Sequence, residues 1–176
     1  REKGLQALAD KLFEQRMLDP EVLAAEFLED PEEALAGARD ILAEEMMETA
    51  EAREEARQLF ARKTVVKSTV AKGKQEAGIK YKDYFAFNEP LKRCPSHRLL
   101  AVFRGEEEGF LKLNIEPDEA IVVEKLQSRF IRRNNLCSEQ MEIAVKDSYK
   151  RLLCPSMESE SRSMAKARAD EEAIKV

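Results

Sequence analysis

The sequence has no tryptophan, one histidine, six glycines and six prolines among its 176 residues. Few residues therefore interrupt helices, and this composition is typical of a helix-rich globular protein. No apolar run approaches the ~20 residues that a membrane-spanning helix needs, so we predict no transmembrane segment and no membrane partner. The opening residues REKGLQALAD also lack the apolar core of a signal peptide.

Cysteine is scarce as well. Cys94, Cys137 and Cys154 are odd in number and far apart, which argues against a disulfide framework and indicates a reducing compartment. We therefore expect a cytoplasmic protein. No CxxC or HxxxH pair is present, so a zinc site would need all three cysteines to meet the single histidine, His97. We expect no metal and no other cofactor.

The sequence offers little catalytic chemistry. His97 is the natural acid–base candidate, but adjacent residues at a helix start point in different directions, so Ser96 is not its partner by sequence alone. No GxSxG motif accompanies them. Three consecutive acids, residues 106–108, fan apart rather than converge on a cation, and the glycines spell no nucleotide-binding loop. We predict no catalytic residues and no enzyme.

What the sequence does have is charge, unevenly distributed. Residues 1–60 carry 7 basic and 17 acidic side chains, whereas residues 61–100 carry 10 basic and 3 acidic side chains. Exposed charges are screened beyond roughly 10 Å at ordinary salt, so a basic patch can act locally in a protein of net acidic charge.

The basic excess coincides with aromatic residues between Ala71 and Leu111. Lysines can neutralise phosphates, and exposed aromatic rings can stack on bases. The alternative is that the aromatic side chains anchor an irregular loop to a core; both interpretations stay open. The candidate nucleic-acid-binding residues are Lys72, Lys74, Lys80, Lys82, Lys92, Arg93, Arg98, Tyr81 and Tyr84. Arg132 and Arg133 form a smaller basic spot, for which a solvated helix end is the simpler interpretation.

Apolar periodicity predicts a mainly α fold. Asp19-Pro20 and Asp30-Pro31 are helix start signals, and a break is expected near Glu48. Residues 64–70 and 110–115 are β-branched or alternating, which predicts a short two-stranded ribbon.

Between the two predicted strands, a helical turn is expected from Tyr81 to Phe87. A helix should follow that begins with Ser96 as its cap and ends at a left-handed Gly105. Pro155 should break the helices that finish the chain.

We predict one multihelical region over residues 1–176. Composition subdivides it into acidic helices at 1–62, an irregular basic and aromatic connector with one helix at 63–117, and C-terminal helices at 118–176. The absent initial methionine and the helical pattern at the end suggest a piece of a larger protein.

Five phrases of the chain have a specific residue order: EKGLQALAD, ALAGARDIL, KGKQEAGIKYKDYF, NEPLKRCPSHRLLAVFRGEEEGFL and ARADEEAIKV. Together they resemble the N-terminal region of the Tex proteins, which are bacterial transcription accessory proteins. The resemblance spans essentially the whole chain. Cys94 and the stretch from Glu119 to Cys154 are the least typical of the family, so no role is carried over to them.

The resemblance implies a modular parent protein. Its parts are a multihelical N-terminal region with a helix-turn-helix element, an RNase H-like domain, helix-hairpin-helix modules and an OB-fold RNA-binding domain. By this resemblance the chain is a helical scaffold that precedes the RNase H-like domain and packs against the missing modules. The parent would bind RNA or DNA, contact the transcription machinery and influence transcription. The alternative is that the basic segment 72–98 itself binds nucleic acid weakly.

Overall fold

The structure, a computed structural model, describes residues 4–175, with side chains described as far as Ile174. Within that range the fold is mainly α, as predicted, with eight α-helices and three short strands. The helices are α1 Leu5–Glu14, α2 Pro20–Ala25, α3 Pro31–Met47, α4 Ala50–Lys63, α5 Ser96–Glu107, α6 Glu119–Phe130, α7 Leu136–Asp147 and α8 Cys154–Lys175. The strands are β1 Val65–Val70, β2 Ala86–Pro90 and β3 Leu111–Glu116. No helix in the described range is long and apolar enough to cross a membrane.

Both predicted helix start signals are confirmed. The carboxylate of Asp19 accepts a hydrogen bond from the N–H of Glu21 at 3.0 Å, and Asp30 caps α3 in the same way through the N–H of Glu32 at 3.0 Å. A proline occupies the first turn of each helix, where its missing N–H needs no partner. The break near Glu48 is also confirmed, because α3 ends at Met47 and α4 begins at Ala50.

The described residues form two compact units, each built from two stretches of chain. Unit 1 comprises Arg1–Ala56 and Ala120–Pro155, and unit 2 comprises Arg57–Glu119 and Ser156–Val176. The division at residues 62 and 117 rests on composition alone and stays a prediction.

All regular secondary structure in the described residues of unit 1 is helical. The long helix α3 packs against α1, α2 and α7, and also against residues Ser148–Leu153, which follow α7. The largest side chains in this core have almost no contact with solvent; they are Leu8, Leu12, Leu35, Leu42, Leu126, Met141 and Tyr149.

Unit 2 contains an antiparallel sheet with strand order β2-β1-β3. The predicted ribbon is confirmed, because β1 pairs with β3 from Val65–Glu116 to Val70–Leu111. The sequence did not predict β2, which pairs with the other edge of β1. The expected turn over Tyr81–Phe87 was placed too late: a 3₁₀ helix occupies Ile79–Tyr84, and β2 starts at Ala86.

The core of unit 2 covers one face of the sheet. Val66, Leu113 and Ile115 point from the sheet into a cluster with Leu99 and Val102 of α5, and Ala165 and Ala169 of α8 complete it. The outer edge of β3 is closed by α8. Arg162 donates to the carbonyl of Leu113 at 2.6 Å, and the N–H of Ile115 donates to Glu158 at 3.0 Å. These bonds satisfy groups that an open edge strand would expose.

Two expectations about α5 are wrong. The helix continues past Gly105 to Glu107, and Gly105 lies against β3. A Cβ at Gly105 would come 2.8 Å from Cγ of Leu111, so close packing rather than a left-handed cap requires glycine here. The residue before the helix is Pro95, and no side chain caps it. The hydroxyl of Ser96 donates instead to Glu172 of α8.

Pro155 does not break the last helices as predicted. A π-helical segment, Ser148–Leu153, leads directly into α8, and Pro155 is the second residue of α8. The wider π-type turn is what accommodates the proline: the N–H of Cys154 bonds to the carbonyl of Tyr149, five residues earlier, just before Pro155.

Candidate nucleic-acid interface

The predicted basic residues divide between the two ends of the sheet in unit 2. Because Val65 pairs with Pro90 and Thr69 pairs with Ala86, residues before β2 lie near the Val70 end of β1. Lys92 and Arg93 follow β2 and lie near the Val65 end. Six residues of strand extend about 16 Å. The basic segment therefore forms two separate groups rather than one surface.

The group at the Val70 end consists of four exposed side chains, here called the turn lysines: Lys72, Lys74, Lys80 and Lys82. The first two lie on a turn closed by a hydrogen bond from the N–H of Lys74 to the carbonyl of Ala71 at 3.0 Å. Lys80 forms an ion pair with Glu108 at 3.1 Å. In residues 4–175, no carboxylate lies within ion-pair distance of Lys72, Lys74 or Lys82.

Tyr81 anchors this region to the core. Its side chain is only 6 % exposed, and its hydroxyl donates to Glu108 at 2.9 Å. Burial raises the pKa of the Tyr81 hydroxyl, and Glu108 raises it further. The same hydrogen bond, followed by that from Lys80, lowers the pKa of Glu108. The ring of Tyr81 is therefore not open to a stacked base, and burial removes the exposed aromatic face on which its predicted binding role depended.

Tyr84 is half-buried and also packs on protein. Its ring meets Phe87 edge-on, with centroids 5.2 Å apart and an interplanar angle of 79°. The carbonyl of Tyr84 accepts a hydrogen bond from the hydroxyl of Ser68 in β1 at 2.7 Å. The loop-anchor interpretation therefore describes both tyrosines better than stacking does.

The group at the Val65 end is held by α8. Lys92 and Arg93 are exposed on the 3₁₀ turn Leu91–Arg93. Arg168 donates to the carbonyls of Leu91 at 3.3 Å and Cys94 at 2.9 Å, which fixes both ends of that turn.

Arg98 also belongs to the Val65 end. It forms an ion pair with Glu89 at 2.7 Å, and the hydrogen bond to Glu89 raises the pKa of Arg98. Because Glu89 already neutralises its charge, Arg98 offers less to a phosphate than the turn lysines do.

All three cysteines are free thiols, in line with the prediction that they form no disulfide framework. Cys94 is buried below the 3₁₀ turn, and this burial, with Glu89 nearby, raises its thiol pKa to about 12. Burial raises the pKa of Cys137 too. Residues 4–175 bring no three His, Cys, Asp or Glu side chains together in a way that could hold a metal ion.

The sheet contributes a surface that sequence reasoning missed. Its face away from the core, here called the outer sheet face, consists of three cross-strand rows. They are Ala86–Thr69–Lys112, Asn88–Lys67–Asn114 and Pro90–Val65–Glu116. Val65 and Glu116 are half-buried and the other seven are exposed. The alternation of apolar and polar residues in β1 and β3 is a sequence signal that places Lys67 and Lys112 on the exposed face. The three rows also include residues of β2, which the sequence did not predict.

The smaller basic spot lies in unit 1, where Arg132 and Arg133 are exposed just after the end of α6. The guanidinium of Arg132 lies 5.2 Å from the ring centroid of Phe13. The backbone N–H groups of Arg132 and Arg133 both donate to the side-chain oxygen of Gln15, at 2.8 Å and 3.2 Å. Gln15 in turn donates to the carbonyl of Phe130 at 2.7 Å. One buried amide thus holds the connection between α6 and α7.

His97 is exposed at the start of α5. Its neighbour Ser96 is bonded to Glu172, and both line a concavity of about 630 Å³ with His97 and Leu100. The serine hydroxyl thus points to a carboxylate and has no histidine base, which a nucleophilic serine would need.

Comparison with known proteins gives a consistent result. A family model described as Tex central region-like matches residues 15–176. The chain belongs to the Tex family. It is 34 % identical over 194 residues to Protein YhgF of Escherichia coli, an alignment that covers 99 % of the chain. It is also 40 % identical over 121 residues to Protein tex of Bordetella pertussis, covering 65 % of the chain.

A further relative is Transcriptional accessory protein Tex of Neisseria gonorrhoeae, 34 % identical over 185 residues and 99 % of the chain. The Tex chain described here spans only part of these proteins: 25 % of the Escherichia coli relative, 15 % of the Bordetella relative and 24 % of the Neisseria relative. The resemblance seen in the sequence is therefore confirmed at the level of the family.

Proposed function

We propose that this chain is the helical scaffold of a Tex-like transcription accessory protein whose other modules bind RNA or DNA and influence transcription. Support comes from the family and from the name of the Neisseria gonorrhoeae relative, which describes a transcriptional accessory protein. The scaffold would position the other modules, and the transcription machinery is the expected partner of the assembled protein.

The observation that carries this proposal is a concentration of exposed apolar side chains in unit 1. They lie on α1, on α2, in the connection between these helices and at the start of α7, and are here called the α1–α2 surface: Phe13, Met17, Leu18, Val22 and Leu136. Met17 is 88 % exposed, Val22 61 % and Leu136 51 %. Hydrogen bonds from Asn135 to the carbonyl of Gln15 and from Cys137 to the carbonyl of Leu18 bring the two chain segments together.

Exposed apolar patches of this kind mark surfaces that another protein part covers. A chain that spans about a quarter of its full-length relatives has many residues elsewhere in the parent that could cover it. We infer that modules of the same parent pack on the α1–α2 surface.

Hydrogen exchange tests the scaffold proposal. Amides of residues 13–22 and 132–137 should exchange more slowly in a full-length Tex protein than in this chain, because the covering module excludes water. Residues 72–77 form an exposed turn outside the surface and serve as the internal control. Equal exchange at residues 13–22 in both proteins, with the control also equal, would contradict the proposal.

We also propose that the chain is not an enzyme and acts in the cytoplasm without a cofactor. The bonding of Ser96 to Glu172 and the exposure of His97 support the first point. If any turnover is observed, His97→Ala should leave its rate unchanged. A loss of that turnover would make His97 a catalytic residue.

A second candidate function is weak nucleic-acid binding by segment 72–98. It rests on the exposure of the turn lysines. Charge reversal of Lys72, Lys74, Lys80 and Lys82 to glutamate should then abolish binding of a single-stranded oligonucleotide. Binding that survives the four reversals would rule out this segment as the site.

A further inference from the structure

We propose that the outer sheet face of unit 2, together with the neighbouring turn lysines, binds the sugar–phosphate backbone of a single-stranded nucleic acid. This inference rests on the second candidate function and extends it from an irregular segment to a defined surface. The two lysines that carry the extension are Lys67 and Lys112.

The strand register places these two lysines close together on one face. Lys67 pairs with Asn114 and Lys112 pairs with Thr69, so the lysines are diagonal neighbours on adjacent strands. Diagonal neighbours in an antiparallel pair lie roughly 7–8 Å apart. Both side chains are exposed, and no carboxylate within residues 4–175 forms an ion pair with either one.

The face continues into the turn lysines without an intervening acid on the rows. Lys112 lies in the row nearest the Val70 end of β1, and Lys72 follows β1 after a single intervening residue, Ala71. Lys67, Lys72, Lys74, Lys82 and Lys112 thus occupy one end and one face of the same sheet. Glu116 lies in the opposite row, beside Val65. The charge on the face therefore increases toward the turn.

The side chains on the face suit phosphates better than bases. None of the nine residues in its three rows is aromatic, so successive bases find no ring on which to stack. Asn88 and Asn114 flank Lys67 in the central row and add amide donors, which commonly contact phosphate oxygens. A surface of this kind should bind the backbone with little preference for sequence or sugar.

An acidic protein segment is the competing occupant. An apolar anchor is what usually makes such a segment bind at a defined site. The exposed residues of the three rows include no large apolar side chain, since Val65 is half-buried and the apolar rest are Ala86 and Pro90. The chemistry of the face therefore favours a regularly charged polymer.

The test is a fluorescence titration of the 176-residue chain with a labelled twelve-nucleotide uridine RNA at several salt concentrations from about 50 to 150 mM. Each lysine that contacts a phosphate of a single strand adds about −0.7 to the slope of log K against log salt. Five lysines predict a slope near −3.5, so binding should be measurable at about 50 mM salt and roughly fifty-fold weaker at 150 mM.

The decisive variant is Lys67→Ala/Lys112→Ala. It should reduce the slope to about −2.1 and weaken binding at low salt by about tenfold or more. Lys67→Arg/Lys112→Arg should retain binding, because the charge remains. Lys11→Ala/Lys146→Ala is the matched control, since it removes the same charge from two exposed positions of unit 1. All three variants should unfold at the wild-type temperature because the positions are exposed.

The possible results distinguish binding by the outer sheet face from binding by segment 72–98 alone. Wild-type binding that the Lys67→Ala/Lys112→Ala variant retains in full, while the four turn-lysine reversals abolish it, would overturn the role of the face and leave the segment as the site. No binding by the wild-type chain at about 50 mM salt would overturn both. Equal binding of a thymidine DNA of the same length supports a backbone contact, and a strong preference for one base would contradict it.

Discussion

The two units use different polar side chains to hold distant segments of the chain together. Gln15 does so in unit 1, and the guanidinium groups of Arg162 and Arg168 do so in unit 2. Arg162 bonds to Leu113 and Glu106 there, while Arg168 fixes the 3₁₀ turn. The charge balance of the two units also differs. Unit 1 carries 13 basic and 21 acidic side chains, net −8, whereas unit 2 carries 17 basic and 14 acidic side chains, net +3.

This difference explains why the units are suited to different roles. The Gln15 amide is neutral, so its contacts in unit 1 need no charged partner. The α1–α2 surface next to it can therefore remain apolar. Unit 2 uses Glu106, Glu158 and Glu89 to bind arginines. Five of its lysines, on the outer sheet face and the neighbouring turn, have no carboxylate within ion-pair distance among the described residues: Lys67, Lys72, Lys74, Lys82 and Lys112. An apolar surface favours protein partners, and unpaired lysines favour phosphates.

Gln15→Ala should produce the largest effect. Deletion of the amide leaves the buried carbonyl of Phe130 and the N–H of Arg132 without their partner, and each such group costs about 1–3 kcal/mol. We expect the free energy of unfolding in urea to fall by about 3 kcal/mol. Gln6→Ala is the control, because Gln6 bonds only to exposed carboxylates. Equal losses in both variants would show that Gln15 is not a special contact.

Arg162→Ala tests the charged counterpart in unit 2. The side chain is partly buried and bonds to Glu106 at 2.5 Å, Leu113 at 2.6 Å and Glu158 at 3.1 Å. Its loss leaves two carboxylates close together, and we expect a destabilisation of about 2 kcal/mol. Arg162→Lys should restore only part of the stability, because an ammonium cannot reproduce the planar fork.

Lys166→Ala removes an exposed i,i+4 pair with Asp170 on the same helix and should change stability by less than about 0.5 kcal/mol. If Arg162→Ala is no more destabilising than Lys166→Ala, the guanidinium does not hold β3.

Gly105→Ala tests the close packing of α5 on β3. Alanine favours a helix over glycine by about 1 kcal/mol, but its Cβ would overlap Leu111, and overpacking usually costs about 1–3 kcal/mol. We expect a net destabilisation of about 1 kcal/mol in urea unfolding. In a chain that also carries Leu111→Ala, the same substitution should become neutral or stabilising. A stabilising Gly105→Ala in the wild-type background would show that no such contact exists.

Tyr81→Phe should have the smallest effect, a change in the pKa of the Glu108 carboxyl group. The hydroxyl of Tyr81 is the largest cause of the lowered pKa of Glu108, so its removal should raise that pKa toward its ordinary range. A lowered carboxyl pKa contributes stability above the unfolded pKa and loses it as the pH falls through the folded pKa. The variant should therefore lose part of this acid-side dependence.

Titration of the Glu108 carboxyl carbon by NMR measures this change. Lys80→Ala should also raise the pKa, because it removes both a hydrogen bond to Glu108 and a nearby positive charge. A Glu108 pKa that is the same in Tyr81→Phe as in the wild type would show that the tyrosine hydroxyl does not stabilise the carboxylate.

Local signals predicted the parts of this fold that depend on neighbours in the chain. Asp30-Pro31 predicts the start of α3, and the alternation in residues 64–70 predicts β1. The strand β2 was missed because Ala86–Pro90 contains asparagine and ends in proline, both poor strand formers. That omission also hid the outer sheet face and made the basic segment look continuous, although strand β2 runs between Lys82 and Lys92 and places them at opposite ends of the sheet.

Contacts between distant parts of the chain had no local signal. Gln15 bonds to Phe130, which follows it by 115 residues, and an isolated glutamine after a helix carries no mark of such a role. Tyr81 and Lys80 are adjacent in the sequence, yet one is buried and the other exposed. Composition identifies which residue types are present in a segment, whereas the sheet register determines which of them reach the surface together.

The most direct test of the central claim compares this chain with a full-length Tex protein that contains it. Both are titrated with the same single-stranded RNA at about 150 mM salt, where a few lysine–phosphate contacts contribute little. The account predicts binding by the full-length protein and no detectable binding by the chain, because the chain is scaffold and its lysines add only a weak backbone contact. Equal affinity of the two proteins would contradict it and would make this chain the principal nucleic-acid-binding module.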